Sequence, residues 1–526
     1  MCGIYFQYTN KGIIDTPTKH ECLKVRGPDN HRYVSSKKYF AAFYRLNINS
    51  INNGMQPFIR DDILIMCNGE IYNHEKLRQS ENLRSGKFSD CAIIPDLYEK
   101  LKNIHSICRV LNGEFSFVMF DEVNECVYFY RDQFGRKSLY YTVQDEDIEI
   151  CSLVKGFEYQ SHIKPVMPGI LYEFKKGNIN MHIIKSPVTL CNEVISPSSH
   201  YNRLVDAVYE RTNMCDKPVG FLLSGGLDSS SILAISMSIN KWVHHAFTIG
   251  FSDNAPDIIS AGIVVEFLQR KYGKEKLIWH KIIYSDYYGL SLLPDVICAI
   301  ETYDTTTVRA STPMYIISKY ISENTNIKVI LSGEGSDELF GGYLYFKYAP
   351  NNIAFQNEIQ KLLENIHAYD VLRADKSTAC HGLEVRTPFL DDNFVEYILK
   401  DKMLVCGKHN TKELLRTILM THFKLLPDSI IFGKKEAFSD AVGSSWKKSI
   451  NFMAENFVKT LNIEAKDLAK HIPAETDEMK CFQYIFKTFI GNKWNLLNNL
   501  WLPNQTWIST GVEPSATILP NYKSAE

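Results

Sequence analysis

No stretch of the 526-residue chain approaches the ~20 consecutive apolar residues that a membrane-crossing helix requires. The amino-terminal apolar run, Cys2-Gly3-Ile4-Tyr5-Phe6, is too short for the core of a secretory signal. The 13 cysteines contain no C-x-x-C pair, which excludes a zinc ribbon or a thioredoxin-type redox pair, and their scatter argues against a disulfide framework. Excess charge of either sign is also missing. With 58 Lys+Arg against 60 Asp+Glu the formal net charge is -2, so there is no general attraction to nucleic acid or an anionic membrane. No segment repeats at a fixed period, and no G-x-x-x-x-G-K-[ST] phosphate loop occurs. These absences predict a cytoplasmic protein without nucleic-acid or membrane partners, whose anionic ligands are held by local sites.

What is present is a globular composition, 45% hydrophobic and 22% charged, in a chain too long for one ordinary core. Residues 1–190 read as short strands, among them "KYFAAFYRLNI", "DDILIMCNG", "GEFSFVMFDE" and "ECVYFYRD", interrupted by one helical stretch, "SDCAIIPDLYEKLKN". Residues 191–200, "CNEVISPSSH", lack periodicity and read as a linker. From residue 201 helices alternate with apolar runs such as "VGFLL", "HHAFTIGF", "KLIWHKIIY" and "IKVILSG", which predicts a parallel sheet covered on both faces, with ligands at its carboxyl edge. Beyond about residue 350 the pattern is mainly helical.

Two loops carry the chemistry of that half. Ser224-Gly225-Gly226-Leu227-Asp228-Ser229 follows the strand ending at Leu223 and opens a helix. Its glycines allow a tight turn whose N–H groups face an anion, and the helix adds its positive end. Asp228 makes sense beside a phosphate only with a Mg²⁺ ion between them. The second loop, "VILSGEGSDELFGGY", offers Ser332, Gly333, Glu334, Gly335 and Asp337 after another apolar strand. If both loops leave the same sheet edge, Asp228 and Asp337 share one Mg²⁺ on the phosphates of ATP. At the other end of the chain, Cys2 becomes the amino terminus if Met1 is removed. A thiol there can use its own α-amine, with an unperturbed pKa of about 7.7 to 8.0, as general base.

The S-G-G-x-D-S loop resembles that of the ATP pyrophosphatases. Together with "ETYDTTTVRAS", "LRADKSTACHGLEVRTPFLD" and "KKEAFSD", it makes the C-terminal domain, residues 201–526, resemble the synthetase domain of glutamine-hydrolysing asparagine synthetases, the likeness extending over most of residues 200–445. Residues 1–190, opening "MCGI", resemble the class II glutamine amidotransferase domain of the same family. The resemblance implies an N-terminal αββα sandwich of the N-terminal-nucleophile type and a C-terminal α/β ATP-pyrophosphatase domain with a helical end. It implies that Cys2 attacks the side-chain amide of glutamine, with Asn68 and Gly69 of "CNGEIYNH" forming the oxyanion hole. Arg45 and Asp90 would bind the substrate's carboxylate and ammonium groups, with Leu46, Asn47, Ile48, Asn49 and Glu70 completing the pocket.

In the second half the resemblance assigns ATP to Leu223, Ser224, Gly225, Gly226, Asp228, Ser229, Ile249, Ser332 and Gly333, and Mg²⁺ to Asp228 and Asp337. Glu334 would act in forming β-aspartyl-AMP and accepting ammonia, and Lys435 would neutralise phosphate charge. Lys435 lies in "FGKKEAFSD", where Phe432 and Gly433 stand in place of the Trp and Arg of the family pattern W-R-x-K-E-x-F-S-D. The implied reaction joins ammonia from glutamine to ATP-activated L-aspartate; the resemblance also allows a homodimer, with no segment that identifies an interface. The alternatives are a related amidotransferase, a β-lactam synthetase-like ligase with another acceptor, and a non-catalytic glutamine or nucleotide sensor built on the same domains.

Overall fold

The computed structural model describes residues 1–11, 16–49, 54–83, 89–185, 193–405, 411–422, 424–433 and 446–511. It divides into two compact units. The first comprises Met1–Pro187 with Met214–Lys217 and Thr378–Glu384; the second comprises Val188–Asn213, Pro218–Ser377 and Val385–Glu526.

The first unit is built on two six-stranded sheets. One has the spatial order Lys164–Pro165, Tyr140–Gln144, Asp147–Cys151, Gly3–Tyr8, Tyr39–Arg45, Asn30–Ser35. The other runs Asn178–Ile183, Ile170–Lys175, Cys126–Arg131, Gly113–Asp121, Ile63–Ile71, Phe58–Arg60. Every pairing along both is antiparallel. Side chains alternate across a strand, so each run supplies two faces. In Ile63–Ile71, Leu64 and Met66 enter a core with Ile4, Phe6, Phe43, Val118 and Phe129, which fills the space between the sheets. Ile65, Cys67 and Ile71 enter a second core with Ile93, Ile94, Leu97, Ile104, Ile107 and Cys108. Those last six belong to the helical segments Ile93–Leu101 and Ile104–Val110 or lie on their buried stripe. Burial on both faces explains why "ILIMC" reads as continuously apolar rather than alternating.

The second unit contains a five-stranded sheet ordered Leu277–Ile283, His244–Gly250, Val219–Leu222, Val329–Leu331, Glu384–Arg386. Val219–Leu222 pairs in parallel with both His244–Gly250 and Val329–Leu331. The two glycine-rich loops therefore leave adjacent parallel strands at the same carboxyl edge. The helix Leu227–Ile239 that follows the first loop is buried over most of its circumference, as a helix enclosed by its neighbours must be. The helix Pro197–Asn213 begins inside the segment read as a linker. The Ser196 hydroxyl accepts a hydrogen bond from the Ser199 N–H at 3.3 Å, and Pro197 takes the first helical position, where its missing N–H costs nothing. The Ser-Pro pair is a cap, and the absence of periodicity concealed it.

Candidate active sites

The period of two assembles the first site. Cys2 precedes the strand Gly3–Tyr8 and packs on the same inter-sheet core as Ile4, Phe6 and Tyr8. Asn68 lies two residues beyond Met66 on the strand Ile63–Ile71 and so points to that same interlayer. The two meet: the Cys2 backbone N–H donates to Asn68 Oδ1 at 2.8 Å. Asn68 is fully buried, and its Nδ2 has no hydrogen-bond partner among the described residues. An orphaned buried donor costs about 1–3 kcal/mol, so its persistence beside a thiol suits a ligand oxygen that arrives with substrate. Gly69 adopts φ +129°, and a Cβ there would stand 1.9 Å from the Glu114 carbonyl oxygen, so no other residue fits this turn of the strand.

The rest of the predicted glutamine pocket forms a connected chain. Arg45 Nη2 donates to the Asn49 carbonyl at 2.9 Å, and Asn49 Nδ2 donates to Glu70 Oε2 at 2.9 Å. Asp90, buried, accepts from the Ile71 N–H at 2.8 Å, while the Cys91 thiol donates to the Gly69 carbonyl at 3.4 Å. Residues 90–91 thus clamp the segment 69–71, which carries one oxyanion candidate, Gly69, and follows directly on the other, Asn68. Leu46 is buried and its backbone N–H reaches the Cys2 sulfur. Asn47 is held through its N–H to Asp29 Oδ2 at 2.7 Å, and the Ile48 carbonyl accepts from the Asp216 N–H at 3.1 Å. That carbonyl is engaged in holding the fold rather than offered to a ligand.

Arg26 is a functional candidate that sequence reasoning missed. Almost completely buried, it donates through Nε to the Cys2 carbonyl at 3.1 Å and through Nη1 to the Ser138 hydroxyl at 3.3 Å. Its signal was the turn sequence Arg26-Gly27-Pro28-Asp29: a Cβ at Gly27 would lie 2.3 Å from the Tyr44 backbone, so the turn presses against the strand Tyr39–Arg45. With Met1 in place the surroundings of Cys2 favour the neutral thiol. Burial pushes Cys2 up to about 11, outweighing the nearby α-amino group and the Leu46 N–H that favour the thiolate. Met1 itself is fully buried, and burial lowers its α-amine to about 5.

The second site is built at the carboxyl edge of the parallel sheet. The Leu223 N–H donates to the Phe247 carbonyl at 2.9 Å, and Thr248 Oγ1 donates to the Leu223 carbonyl at 2.7 Å, which ties the first loop to the neighbouring strand. Gly225 has φ +78° and no room for a side chain, since a Cβ would lie 2.3 Å from the Ala261 nitrogen. The Ser224 N–H donates to the Ser229 hydroxyl at 3.2 Å, and the Gly226 N–H donates to the Ser224 hydroxyl at 3.3 Å, at the entry to the helix Leu227–Ile239. Ile249 is buried on the adjacent strand, and Ser332 is fixed by its N–H to the Arg386 carbonyl at 3.0 Å. A Cβ at Gly333 would come within 2.9 Å of the Asp228 Cβ, so the two loops touch there.

Asp228 and Asp337 are brought together by a cation. The Lys412 ammonium lies 2.5 Å from Asp228 Oδ2 and 2.8 Å from Asp337 Oδ1, and the Ser336 hydroxyl donates to Asp228 Oδ1 at 2.7 Å. Lys412 was not foreseen; it has φ +57° at the start of the helix Glu413–Met420, and nothing in "TKELLRT" marks it. Two carboxylates and a hydroxyl around one positive charge make a hard, all-oxygen donor set of the kind Mg²⁺ prefers. Glu334 has a cation of its own: Arg373 donates to Glu334 Oε2 at 2.6 Å and lies 2.8 Å from Asp370 Oδ1. Burial raises Glu334 to about 6 against the pull of Arg373.

The segments quoted for the resemblance meet as well. Glu301 of "ETYD" pairs with Lys376 of "LRADKS" at 2.6 Å with both side chains fully buried, and Asp304 caps the helix Thr305–Asn324 through the Thr307 N–H at 2.8 Å. At Gly433, where an arginine was expected, the Arg416 guanidinium donates to the Gly433 carbonyl at 3.2 Å. Lys435 lies outside the described residues.

Comparison with known proteins gives this geometry its context. A model of the asparagine synthase family matches residues 201–360 and 349–476, and one of the glutamine amidotransferase domain matches residues 1–196. A probable glutamine-hydrolysing asparagine synthetase of Acanthamoeba polyphaga mimivirus is 35% identical, the match covering 99% of this chain and all of that protein. The chain belongs to the glutamine-hydrolysing asparagine synthetase family. The asparagine synthetases of Cricetulus griseus and Homo sapiens are each 33% identical, with both partners covered in full. The glutamine amidotransferase match falls on the antiparallel two-sheet unit, and the asparagine synthase match falls on the parallel-sheet unit.

Proposed function

We propose that the chain makes L-asparagine from L-aspartate, ATP and the amide nitrogen of glutamine, releasing glutamate, AMP and pyrophosphate. The observation that carries this reading is the contact of Cys2 with Asn68, whose second amide atom is a buried donor without a partner. Removal of Met1 turns the Cys2 nitrogen into an amine. That amine takes the thiol proton as the sulfur attacks the glutamine amide carbon. The Asn68 amide, with the backbone at Gly69, then stabilises the oxyanion. Arg45 and Asp90 bind the α-carboxylate and α-ammonium of glutamine, and Asn47, Asn49 and Glu70 supply polar walls.

In the second unit, Ser224 to Ser229 cradle the ATP phosphates, while Leu223, Ile249, Ser332 and Gly333 receive the adenosine. Asp228 and Asp337 would hold Mg²⁺, whose charge when bound favours departure of pyrophosphate. Lys412 balances these carboxylates and, once they are otherwise engaged, can turn its ammonium to phosphate oxygens. Lys435 is assigned to the same charge by resemblance. Glu334, held by Arg373, accepts a proton as ammonia attacks β-aspartyl-AMP. The cysteines among the described residues are free thiols, which suits the cytoplasm. The test is incubation with ATP, Mg²⁺, aspartate and glutamine, followed by assay of asparagine, AMP, pyrophosphate and glutamate. Glutamate without asparagine would overturn the assignment of the acceptor.

A further inference from the structure

Outside both sites, three metal-ligating side chains converge on the helix-covered face of the first unit. His105 is on the helix Ile104–Val110, Glu173 on the strand Ile170–Lys175 and His182 on the edge strand Asn178–Ile183. One ligand atom from each lies within 4.8 Å of the other two. The register explains the convergence. Glu173 stands opposite Asn180, so His182, two residues on, is its diagonal neighbour on the same face. Leu171, on that face, packs in the core with Ile104, Ile107 and Cys108 of the helix, which brings His105 over the pair. His182 Nε2 is already 3.3 Å from Glu173 Oε2, and the His105 and His182 rings meet edge to face with centroids 4.5 Å apart.

We propose that His105, Glu173 and His182 form a binding site for a divalent transition-metal ion, with Zn²⁺ the best match. Two imidazoles and one carboxylate are borderline donors suited to zinc and leave a fourth position for water. Tetrahedral zinc places its ligand atoms roughly 3.3–3.5 Å apart, so the set must close by about 1 Å or a little more. The half-buried side chains can make that adjustment by small rotamer changes. Arg109, one turn along the helix, opposes a cation, and the Glu173 carboxylate offsets it. The Cys126 thiol, 3.7 Å from Glu173 Oε1, steadies the carboxylate from behind. A bound ion would pin the helix to an edge strand that is otherwise held from one side only.

The test uses the full chain, stripped of metal with a chelator and titrated with Zn²⁺ against a chromophoric competitor, beside His105→Gln, His182→Gln and Glu173→Gln. Wild type should bind one equivalent more than the variants. Loss of an outer-shell partner alone weakens a site by about 10–100-fold, so loss of a ligand should cost at least about tenfold. Co²⁺ should give visible bands of a four-coordinate nitrogen and oxygen site without thiolate charge transfer, and Zn²⁺ should raise the Tm of wild type more than that of the variants. Glutaminase activity should be the same in all four proteins, which shows that the variants fold. Equal zinc uptake and affinity in all four, or none in wild type, overturns the proposal.

Discussion

Replacing Asn68 with alanine tests the glutaminase assignment most directly, because activity and stability should part company. The amide has two halves. Oδ1 accepts from the Cys2 nitrogen at 2.8 Å, and Nδ2 is a buried donor with no partner among the described residues. Alanine removes one satisfied hydrogen bond, worth about 0.5–1.5 kcal/mol net, and leaves the Cys2 donor to find another acceptor. It also removes an unsatisfied donor whose burial costs about 1–3 kcal/mol. The two effects oppose, so the change in folding free energy should stay within about 2 kcal/mol. In the reaction nothing opposes. Losing one oxyanion donor should lower kcat for glutamate release about 10²–10³-fold, with little change in KM, because the donor acts only as charge develops. The assays are glutamate release from glutamine, asparagine synthesis supported by added ammonia, and urea denaturation. Asn68→Asp, which keeps Oδ1 but replaces the donor with an acceptor, should lose at least as much activity. A glutaminase rate within tenfold of wild type, or an equal loss of ammonia-supported synthesis, would refute the reasoning.

Gly69→Ala should be far more damaging to stability, because a Cβ 1.9 Å from the Glu114 carbonyl meets the backbone of a central strand; a loss of about 3 kcal/mol or more is expected from denaturant titration. Lys376→Ala removes the cation that lies 2.6 Å from the fully buried Glu301 carboxylate, which should cost about 3–5 kcal/mol and lower Tm by several degrees. Glu334 has a folded pKa raised to about 6, so the folded state holds its proton more tightly than the unfolded chain does. Its contribution is complete below the ordinary carboxylate range and fades as pH rises toward 6; Glu334→Gln should flatten that part of the stability profile, by about 2 kcal/mol between its ends. Protein that retains Met1 should react slowly with iodoacetamide near pH 8, since burial holds its Cys2 thiol near 11, while processed protein reacts fast; intact mass identifies the two forms.

What the sequence discloses here depends on whether the chemistry is done by backbone or by a distant side chain. Where the backbone itself must turn, as at Gly69 with φ +129° or Gly225 with φ +78°, only glycine is admitted, so the requirement is written locally and can be read locally. The same holds for the strands: "ILIMCNG" marks its own two faces, and alternation already places Asn68 with Leu64 and Met66. That Cys2 stands across from Asn68 follows only from the packing of the two sheets, which brings together residues 66 positions apart. Charge compensation is hidden more deeply. Lys412 reaches Asp228 across 184 positions and needs no particular neighbour in sequence to do so. A partly buried pair of carboxylates favours a cation but does not specify which segment delivers it, so the demand was visible at Asp228 and Asp337 while the supply was not. The Ser196-Pro197 cap shows the converse: it is fully local, and it was concealed because the helix it opens begins before its apolar periodicity does.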